Sequence, residues 1–243
     1  NFKIFWKNLM IKRFFDITIS VIGLTIISPI FILFILLIFL YDFRSPFYVA
    51  PRVGKKGKLF KMVKLRSMKI DADKTGVAST ANDDDRITPI GKLIRKFKFD
   101  EISQLINVLQ GSMSLVGPRP QVEKDVRLYT DKEKNLLNVK PGITDFSSIV
   151  FSDEGYILDG SSNPDKDYND LIRPWKSRLG LFYIEVQNLR LDINLIFLTV
   201  YSFINRDKVL KKISTFLLSK NAEQGLVNVV LRKKELTPAL PPE

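Results

Sequence analysis

A chain of 243 residues is long enough for one compact domain with appendages, and its 38 Lys and Arg residues against 26 Asp and Glu give a formal net charge of +12. It contains no cysteine or histidine, which excludes disulfides, metal sites built on those residues and a histidine general base, so any chemistry must use carboxylates, lysines or hydroxyl groups. The charge indicates an anionic partner, for which nucleic acid, membrane headgroups and a phosphorylated substrate are the candidates.

The first predicted element is an apolar segment from Ile17 to Leu40, which contains no charged residue. As a helix it would be roughly 36 Å long, nominally enough to span a bilayer core. Basic residues flank both ends and draw both to the cytoplasm. Pro29 removes a helical hydrogen bond near the middle, and Ser28 can satisfy the carbonyl that Pro29 frees. The pattern favours a re-entrant helix-break-helix over a single span. A cleaved signal peptide is a further alternative, but this apolar segment is longer than that of a typical signal peptide.

The segment from Arg44 to Ile70 contains nine basic residues and no acidic residue. Such a run after a membrane segment is expected to lie against anionic lipid headgroups, with a solvated basic face as the alternative. Valines and aromatic residues interleave with the charges and predict short strands around a turn from Gly54 to Gly57.

The polar stretch that follows ends in Asp83, Asp84 and Asp85. Clustered carboxylates suit a hard cation, but an exposed loop is the favoured interpretation. Thr88 and Pro89 then form an N-cap and first-turn pair, which predicts that a helix begins there.

Two adjacent acids, Asp100 and Glu101, come at the start of the next predicted helix, whose apolar residues recur at helical spacing until Gly111. A helix N-terminus favours ionised carboxylates and attracts phosphate. A carboxylate with a low pKa is a competent covalent nucleophile. The pair is therefore a candidate nucleophile or metal ligand, although adjacent acids are also common on solvated helices.

An arginine stands between two prolines shortly after Gly111, in the sequence Gly117-Pro118-Arg119-Pro120. The prolines fix φ on either side and stiffen the loop that presents the guanidinium. A planar guanidinium held in this way suits bidentate phosphate recognition. We predict a phosphate clamp near the acidic pair.

The C-terminal half is predicted to contain a helix from Gln121 to about Leu137 and a strand from Ile143 to Phe151. The apolar stretch from Leu191 to Ile204, with Asp192 as its expected N-cap, is too short to span a membrane. It belongs either to the core or to the membrane interface, and the interface is favoured.

Beyond Asn205 the pattern predicts a basic amphipathic helix, and the proline-rich end from Thr237 to Glu243 predicts a disordered tail. The sequence contains no internal repeat, dinucleotide fingerprint or Walker-type loop, so a doubly wound nucleotide fold is not expected.

The combination of motifs resembles the bacterial sugar transferase family, the small monotopic phosphoglycosyl transferases that initiate glycan assembly on a polyprenyl phosphate. The matching segments, besides the acidic pair and the Pro-Arg-Pro loop, are Lys12-Arg13-Phe14-Phe15-Asp16, Ser28-Pro29, Arg52-Val53-Gly54, Lys64-Leu65-Arg66-Ser67-Met68, Arg86-Ile87-Thr88, Gly91 and Val139 to Thr144. The chain departs from the family at Leu65, Phe99, Ser103, Asp145 and Phe146.

The resemblance implies a mixed α/β fold: a small, compact cytoplasmic domain with an N-terminal re-entrant membrane helix and interfacial amphipathic helices. We expect a membrane anchor over 1–43, a catalytic domain over 44–204 and a C-terminal extension over 205–243. It also implies the cytoplasmic face of the bacterial inner membrane, with anionic lipids, a UDP-sugar and a polyprenyl phosphate as partners, no nucleic acid, and a possible homo-oligomer.

For the chemistry, the resemblance implies transfer of a sugar-1-phosphate to the lipid phosphate with release of UMP. Asp100 would attack the β-phosphorus to form a covalent intermediate. Asp100 and Glu101 would hold Mg²⁺, and Glu101 would serve as a metal ligand or as a base. The basic residues expected to bind phosphate or substrate are Arg119, Arg95, Lys64 and Arg66.

Two alternatives stay open within the same family. One is a catalytically inactive membrane scaffold of the same fold, and the other is a single-step transferase in which Asp100 is only a metal ligand. The sugar cannot be read from these residues.

Overall fold

The computed structural model describes residues 2–75, 80–81, 84–233 and 235–243 of the chain, without the side chains of 2–9, 73 and 75. Asp83, one of the three consecutive aspartates, lies outside this range. The helices are α1 (Phe2–Asp42), α2 (Pro89–Lys96), α3 (Gln104–Gln110), α4 (Glu123–Val126), α5 (Phe146–Val150), α6 (Glu154–Ile157), α7 (Pro164–Asp167), α8 (Arg173–Val186), α9 (Leu189–Ser202), α10 (Arg206–Ser219) and α11 (Gln224–Val230).

The strands form two separate two-stranded sheets within the described residues. The first is an antiparallel hairpin of β1 (Phe47–Val53) and β2 (Leu59–Leu65), which pairs Val53 with Leu59 across its turn. The second is a parallel pair of β3 (Ser114–Val116) and β4 (Gly142–Thr144). A mixed fold with both helices and strands is therefore confirmed, with helices predominating. Short 3-10 turns lie at Lys55–Gly57, Ala72–Thr75, Phe99–Glu101 and Glu133–Asn138, and a π turn lies at Tyr168–Ile172.

The expected break at Ser28-Pro29 is not found, because α1 runs as one helix through Pro29 and Ser28 compensates for the proline locally. A proline at position 29 cannot donate to the carbonyl of Thr25, four residues earlier. The Ser28 hydroxyl donates to that carbonyl oxygen at 2.8 Å, as the sequence analysis predicted. The segment from Met10 to Asp42 is long and apolar enough to cross a membrane, and little of it is buried in the protein.

Charged side chains attach the N-terminal half of α1 to the rest of the protein, residues 44–243, which is called the body below. Arg13 donates to the carbonyl oxygens of Val108 at 2.5 Å and Leu109 at 2.8 Å, in the last turn of α3. Asp16 is buried and accepts hydrogen bonds from the Ser114 hydroxyl at 2.8 Å and the Leu115 N–H at 3.2 Å. These contacts join α1 to both α3 and β3.

The C-terminal half of α1 packs against a different part of the same body. Phe31, Phe34 and Ile38 form a small apolar core with Leu65 of β2 and Ile94 of α2. Phe34 also lies 4.9 Å, between ring centroids, from Phe99. Both halves of the apolar helix therefore contact the globular part.

The main core is built from α5, α8, α9, α10 and α11 packed around the parallel strands. In α9, Leu191, Leu195 and Leu198 are buried in this core, whereas Phe197 and Val200 on the opposite side are exposed. The side chains that α10 and α11 bury belong to the same core. The helix predicted beyond Asn205 is present as α10.

The N-cap assignment of Asp192 is wrong. Asn188 caps α9, since its side-chain oxygen accepts from the Leu191 N–H at 3.0 Å. Asp192 is instead buried and forms an ion pair with Lys12 of α1, and it accepts a hydrogen bond from the Tyr183 hydroxyl at 2.6 Å.

Two predicted elements of the C-terminal half are also wrong. The expected helix over 121–137 is a short helix, α4, and a later 3-10 turn over Glu133–Asn138. The expected strand over 143–151 ends at Thr144, because the Asp145 carboxylate accepts from the Ser148 N–H at 2.7 Å and begins α5.

The proline-rich end was expected to be disordered, but it lies along the body. The Ala239 N–H donates to the carbonyl oxygen of Asp170 at 3.0 Å. Arg178 donates to the Leu240 carbonyl oxygen at 2.8 Å, and the Thr130 hydroxyl donates to that of Pro242 at 2.5 Å. Prolines lack an N–H but keep their carbonyls as acceptors, which suits such an extended segment.

Candidate active site

The acidic pair lies in a tight turn between two helices. Helix α2 begins at the predicted position, where the Thr88 hydroxyl accepts from the Gly91 N–H at 2.9 Å. Lys98 adopts a left-handed conformation with φ of 53°, and the 3-10 turn Phe99–Glu101 follows it directly. Asp100 and Glu101 therefore precede α3 and do not form its first turn.

Helix α3 is attached to strand β2 by two polar side chains. The Ser103 hydroxyl donates to the Val63 carbonyl oxygen at 3.0 Å. The Asn107 side chain accepts from the Val63 N–H at 2.9 Å and donates to the Lys61 carbonyl oxygen at 2.8 Å. These bonds fix the backbone beside Lys64, and its Nζ lies 3.7 Å from the Asp100 carboxylate.

We expect Asn107→Leu to lower both stability and activity. The substitution leaves the Val63 N–H and the Lys61 carbonyl without their partner, at a cost of about 2–3 kcal/mol in the free energy of unfolding. Thermal unfolding in detergent measures this loss. Asn138→Leu is the control, because the Asn138 side chain, among the described residues, hydrogen-bonds only to the nearby Asn135 side chain. Equal stability of the two variants would contradict the proposed attachment.

The Pro-Arg-Pro loop brings Arg119 to the acidic pair. The loop leaves β3 through Gly117, whose N–H donates to the Thr144 carbonyl oxygen at 3.0 Å. A Cβ atom at Gly117 would lie 2.5 Å from the Lys140 carbonyl oxygen, so only glycine permits this approach. The Arg119 guanidinium then reaches Glu101 and donates to its carboxylate at 2.5 Å.

The two carboxylates have opposite pKa shifts. Burial raises the pKa of Asp100 above its ordinary value, and the charge of Glu101 adds to this effect against Lys64. Burial also acts on Glu101, but Arg119, Lys98 and Lys64 outweigh it and lower the pKa of Glu101 to about 2. The sequence predicted a low pKa for both carboxylates. This prediction is confirmed for Glu101 and is wrong for Asp100, where the effect of burial exceeds that of the nearby positive charges.

Arg95 lies near the pair with an unused donor. Its Nη1 is buried and donates to no atom of the described residues. Burial lowers the pKa of Arg95, whereas the charge of Asp100 opposes that shift. A buried guanidinium nitrogen without a partner is costly, and a phosphate oxygen within hydrogen-bonding distance would satisfy it.

Arg66 is placed differently from the other predicted phosphate ligands. Its guanidinium donates to both carboxylate oxygens of Asp42, at 2.5 and 2.7 Å, and to the Ser45 carbonyl oxygen at 2.8 Å. These bonds hold the end of α1 against the hairpin. The structure therefore brings Lys64, Arg95 and Arg119 to the acidic pair and gives Arg66 a bidentate partner elsewhere.

Three polar side chains near this site were missed by the sequence analysis. Glu154 and Lys176 form an ion pair, and the Lys176 ammonium lies 5.3 Å from the centre of the Tyr168 ring. Gln121, which directly follows the Pro-Arg-Pro loop, donates to the Tyr168 hydroxyl at 3.2 Å. Glu154 and Lys176 are 22 positions apart in the chain, and no sequence motif contains both of them.

A magnesium ion fits the acidic pair if substrate phosphates complete its shell. Among the described residues, no three acidic side chains come close enough to hold a metal ion together. Mg²⁺ is commonly bound by one or two carboxylates together with phosphate oxygens and water. Asp84 of the aspartate run forms an ion pair with Arg86 at 2.6 Å.

The chain belongs to the bacterial sugar transferase family, which it matches over residues 7–206. The family predicted from the motifs is confirmed, and the protein is an enzyme of the transferase class. Residues 207–243 lie beyond the matched region.

Three named relatives illustrate the similarity. The chain is 47% identical over 138 residues to the "Putative undecaprenyl-phosphate N-acetylgalactosaminyl 1-phosphate transferase" of Bacillus subtilis (strain 168), covering 57% of this chain and 73% of that protein. It is 37% identical to the undecaprenyl-phosphate glucose phosphotransferase of Komagataeibacter xylinus, covering 79% and 36%. It is 34% identical to the undecaprenyl-phosphate galactose phosphotransferase of Salmonella typhimurium, covering 81% and 41%. The chain thus spans well under half the length of the latter two.

Proposed function

We propose that this protein transfers a sugar-1-phosphate from a UDP-sugar to undecaprenyl phosphate or a related polyprenyl phosphate, as the initiating membrane step of bacterial glycan synthesis. The observation that carries the proposal is the convergence of Lys64, Arg95 and Arg119 on a buried pair of carboxylates. Three cations around two acids leave an excess of positive charge, which suits an anionic diphosphate. The names of the relatives supply the lipid phosphate acceptor.

The proposed reaction has two steps, with Asp100 as the nucleophile. An Asp100 carboxylate oxygen attacks the β-phosphorus, a new O–P bond forms, and the bond from that phosphorus to the UMP oxygen breaks. UMP leaves with the electron pair. An oxygen of the lipid phosphate then attacks the same phosphorus, and the Asp100 carboxylate departs. Arg119 and Arg95 bind the phosphate oxygens as charge develops on them.

Glu101 has a separate role in this proposal. Its ion pair with Arg119 keeps it ionised and fixes the guanidinium in the loop. Asp100 and Glu101 would hold Mg²⁺, which neutralises phosphate charge when bound. Glu101 as a metal ligand and Glu101 as a base stay as two alternatives.

The contacts of α1 support the proposed membrane placement. A helix that spans a bilayer has its ends on opposite sides, so one globular body on one side cannot contact both ends. Here Arg13 near one end and Asp42 at the other both bind the same body. These contacts support a re-entrant helix with the body on the cytoplasmic face of the inner membrane.

The absence of cysteine allows a direct test of this topology. Single cysteines at Met10, Ile26 and Phe43 replace side chains that are exposed on the protein, at 65%, 71% and 70%. A membrane-impermeant maleimide should label positions 10 and 43 in inside-out vesicles only and leave position 26 unlabelled. Labelling of positions 10 and 43 from opposite sides would show that the helix spans the bilayer.

The two-step reaction is tested by the covalent intermediate. Purified protein is incubated with a UDP-sugar and Mg²⁺ but no lipid, and its intact mass is measured. We expect release of UMP and a mass increase of one phosphosugar, mapped by peptide analysis to Asp100. Full turnover with lipid but no adduct would favour a single step, and no turnover with any UDP-sugar would favour an inactive scaffold.

A further inference from the structure

The Glu154–Lys176 pair lies beside the phosphate-binding side of the site. After Glu101, the charge of Glu154 helps to raise the pKa of Arg119 above its ordinary value. Glu154 also opposes the lowering of the Arg95 pKa by burial. The Lys176 ammonium lies 5.3 Å from the centre of the Tyr168 ring, and the Tyr168 hydroxyl accepts at 3.2 Å from Gln121, which directly follows the Pro-Arg-Pro loop. These contacts place the pair beside the loop whose arginine would bind the donor diphosphate.

One oxygen of the Glu154 carboxylate is fixed and the other is available. Lys176 binds Oε2, while Oε1 accepts no hydrogen bond from the part of the chain that the structure describes. The Lys176 side chain is 12% exposed, and that of Glu154 is 30% exposed. A largely buried lysine thus holds one oxygen of a partly exposed carboxylate.

The backbone ahead of Glu154 is held by α10 and by the turn that follows α11. Arg206 and Arg232 donate to the Val150 carbonyl oxygen at 2.8 and 2.9 Å, and both form ion pairs with Asp153 at 2.9 Å. Arg232 lies beyond the residues matched by the family. The C-terminal part of the chain therefore helps to position Glu154, and such support by surrounding residues favours a precise binding site.

The chemistry of the pair points to a neutral ligand rich in hydroxyl groups. A free carboxylate oxygen repels phosphate, and the ion pair as a whole is neutral. Glu154 also belongs to no group of three acids that could hold a metal, among the described residues. Carboxylate oxygens accept strong hydrogen bonds from hydroxyl groups. In a UDP-sugar, the hydroxyl-bearing group next to the β-phosphate is the sugar ring.

We propose that Glu154, oriented by Lys176, accepts hydrogen bonds from hydroxyl groups of the donor sugar and helps to determine which UDP-sugar is used. This inference rests on the proposed function. It makes Glu154 a specificity-determining residue, and Arg232 a positioning residue that acts through Asp153.

The test compares Glu154→Gln with the unchanged protein across UDP-glucose, UDP-galactose, UDP-N-acetylglucosamine and UDP-N-acetylgalactosamine, with one fixed polyprenyl phosphate. We expect kcat/KM for the preferred donor to fall about 10- to 100-fold, and its preference over the other donors to shrink by about tenfold. Glu123→Gln is the matched control, because Glu123 forms an exposed ion pair with Arg127. An equal loss for all donors, or no loss, would overturn the inference.

Binding measurements separate this inference from the proposed function. Thermal shifts in detergent should show that Glu154→Gln weakens binding of the preferred UDP-sugar but leaves binding of UDP unchanged. This result requires no turnover, whereas absence of turnover by the unchanged protein would contradict the proposed function alone. Glu154→Asp keeps the charge and moves the acceptor, so it should change the order of donors; an unchanged order together with unchanged UDP-sugar binding would overturn the inference.

Discussion

We expect Asp100→Asn to abolish release of UMP from a UDP-sugar, with the rate falling by roughly 10⁴-fold or more. Asparagine has nearly the same shape as aspartate but cannot form the phosphoaspartyl bond. The measurement is UMP release in the presence of polyprenyl phosphate and Mg²⁺, together with the mass of the protein after incubation with donor alone. The adduct should be missing from the variant.

The fold should tolerate this substitution, which makes the loss of activity interpretable. Asp100 is buried and burial raises its pKa, so the folded state already disfavours the charged form. A neutral asparagine removes that cost, and we expect a thermal unfolding midpoint no lower than that of the unchanged protein. Near-normal turnover by the variant would show that Asp100 is not the nucleophile.

The second large effect is expected for Arg119→Met, with kcat/KM for the UDP-sugar reduced by about 10²- to 10³-fold. The variant loses the guanidinium that would bind the phosphate oxygens. It also leaves the buried Glu101 carboxylate without its closest partner, which raises the pKa of Glu101 from its value of about 2. The measurement is UMP release over a range of donor concentrations.

A lysine at the same position tests geometry separately from charge. Arg119→Lys keeps one positive charge but loses the planar fork, so we expect activity between those of the methionine variant and the unchanged protein. Arg127→Met is the control, because Arg127 is exposed and forms a surface ion pair with Glu123. A fall in the unfolding midpoint of Arg119→Met without a fall in kcat/KM would indicate a purely structural arginine.

The candidate site was predictable from sequence where local features determine it. Asp100, Glu101 and Arg119 lie within twenty consecutive residues, and the prolines and Gly117 constrain the connecting loop. The pairing of Ser28 with the carbonyl freed by Pro29 is also local. Ser28 and Thr25 are three positions apart, and Glu101 and Arg119 are 18 apart but joined by one short helix and a constrained loop. Spacing and residue type therefore indicated both.

Residues whose partners are distant in the chain were not predictable in this way. Asp192 pairs with Lys12 across 180 positions, and Arg66 pairs with Asp42 across 24. From sequence, Asp192 was interpreted as an N-cap and Arg66 as part of a basic motif at the site. In the structure, each side chain instead binds its distant partner. Glu154 has no local signal, because it is connected to the Pro-Arg-Pro loop only through Lys176, Tyr168 and Gln121, which are distant from it in the chain.

Departures from the family pattern were informative once their contacts were known. Asp145 begins a helix where a strand was expected. Ser103 stands where the family commonly has proline, and its hydroxyl bonds the Val63 carbonyl oxygen of β2. Proline has no side-chain donor, so a proline at position 103 could not form this hydrogen bond between the start of α3 and β2.

The double attachment of α1 has a consequence for making a water-soluble form of the enzyme. Deleting residues 1–43 would uncover Leu65 and Ile94, remove the carboxylate that binds Arg66 and free the α3 carbonyls that Arg13 now binds. The shortened chain would lose part of its interior as well as its affinity for lipid. Solubility is better sought by replacing outward-facing side chains of α1, such as Ile22, Ile26 and Ile30, with polar residues and keeping the inward face intact.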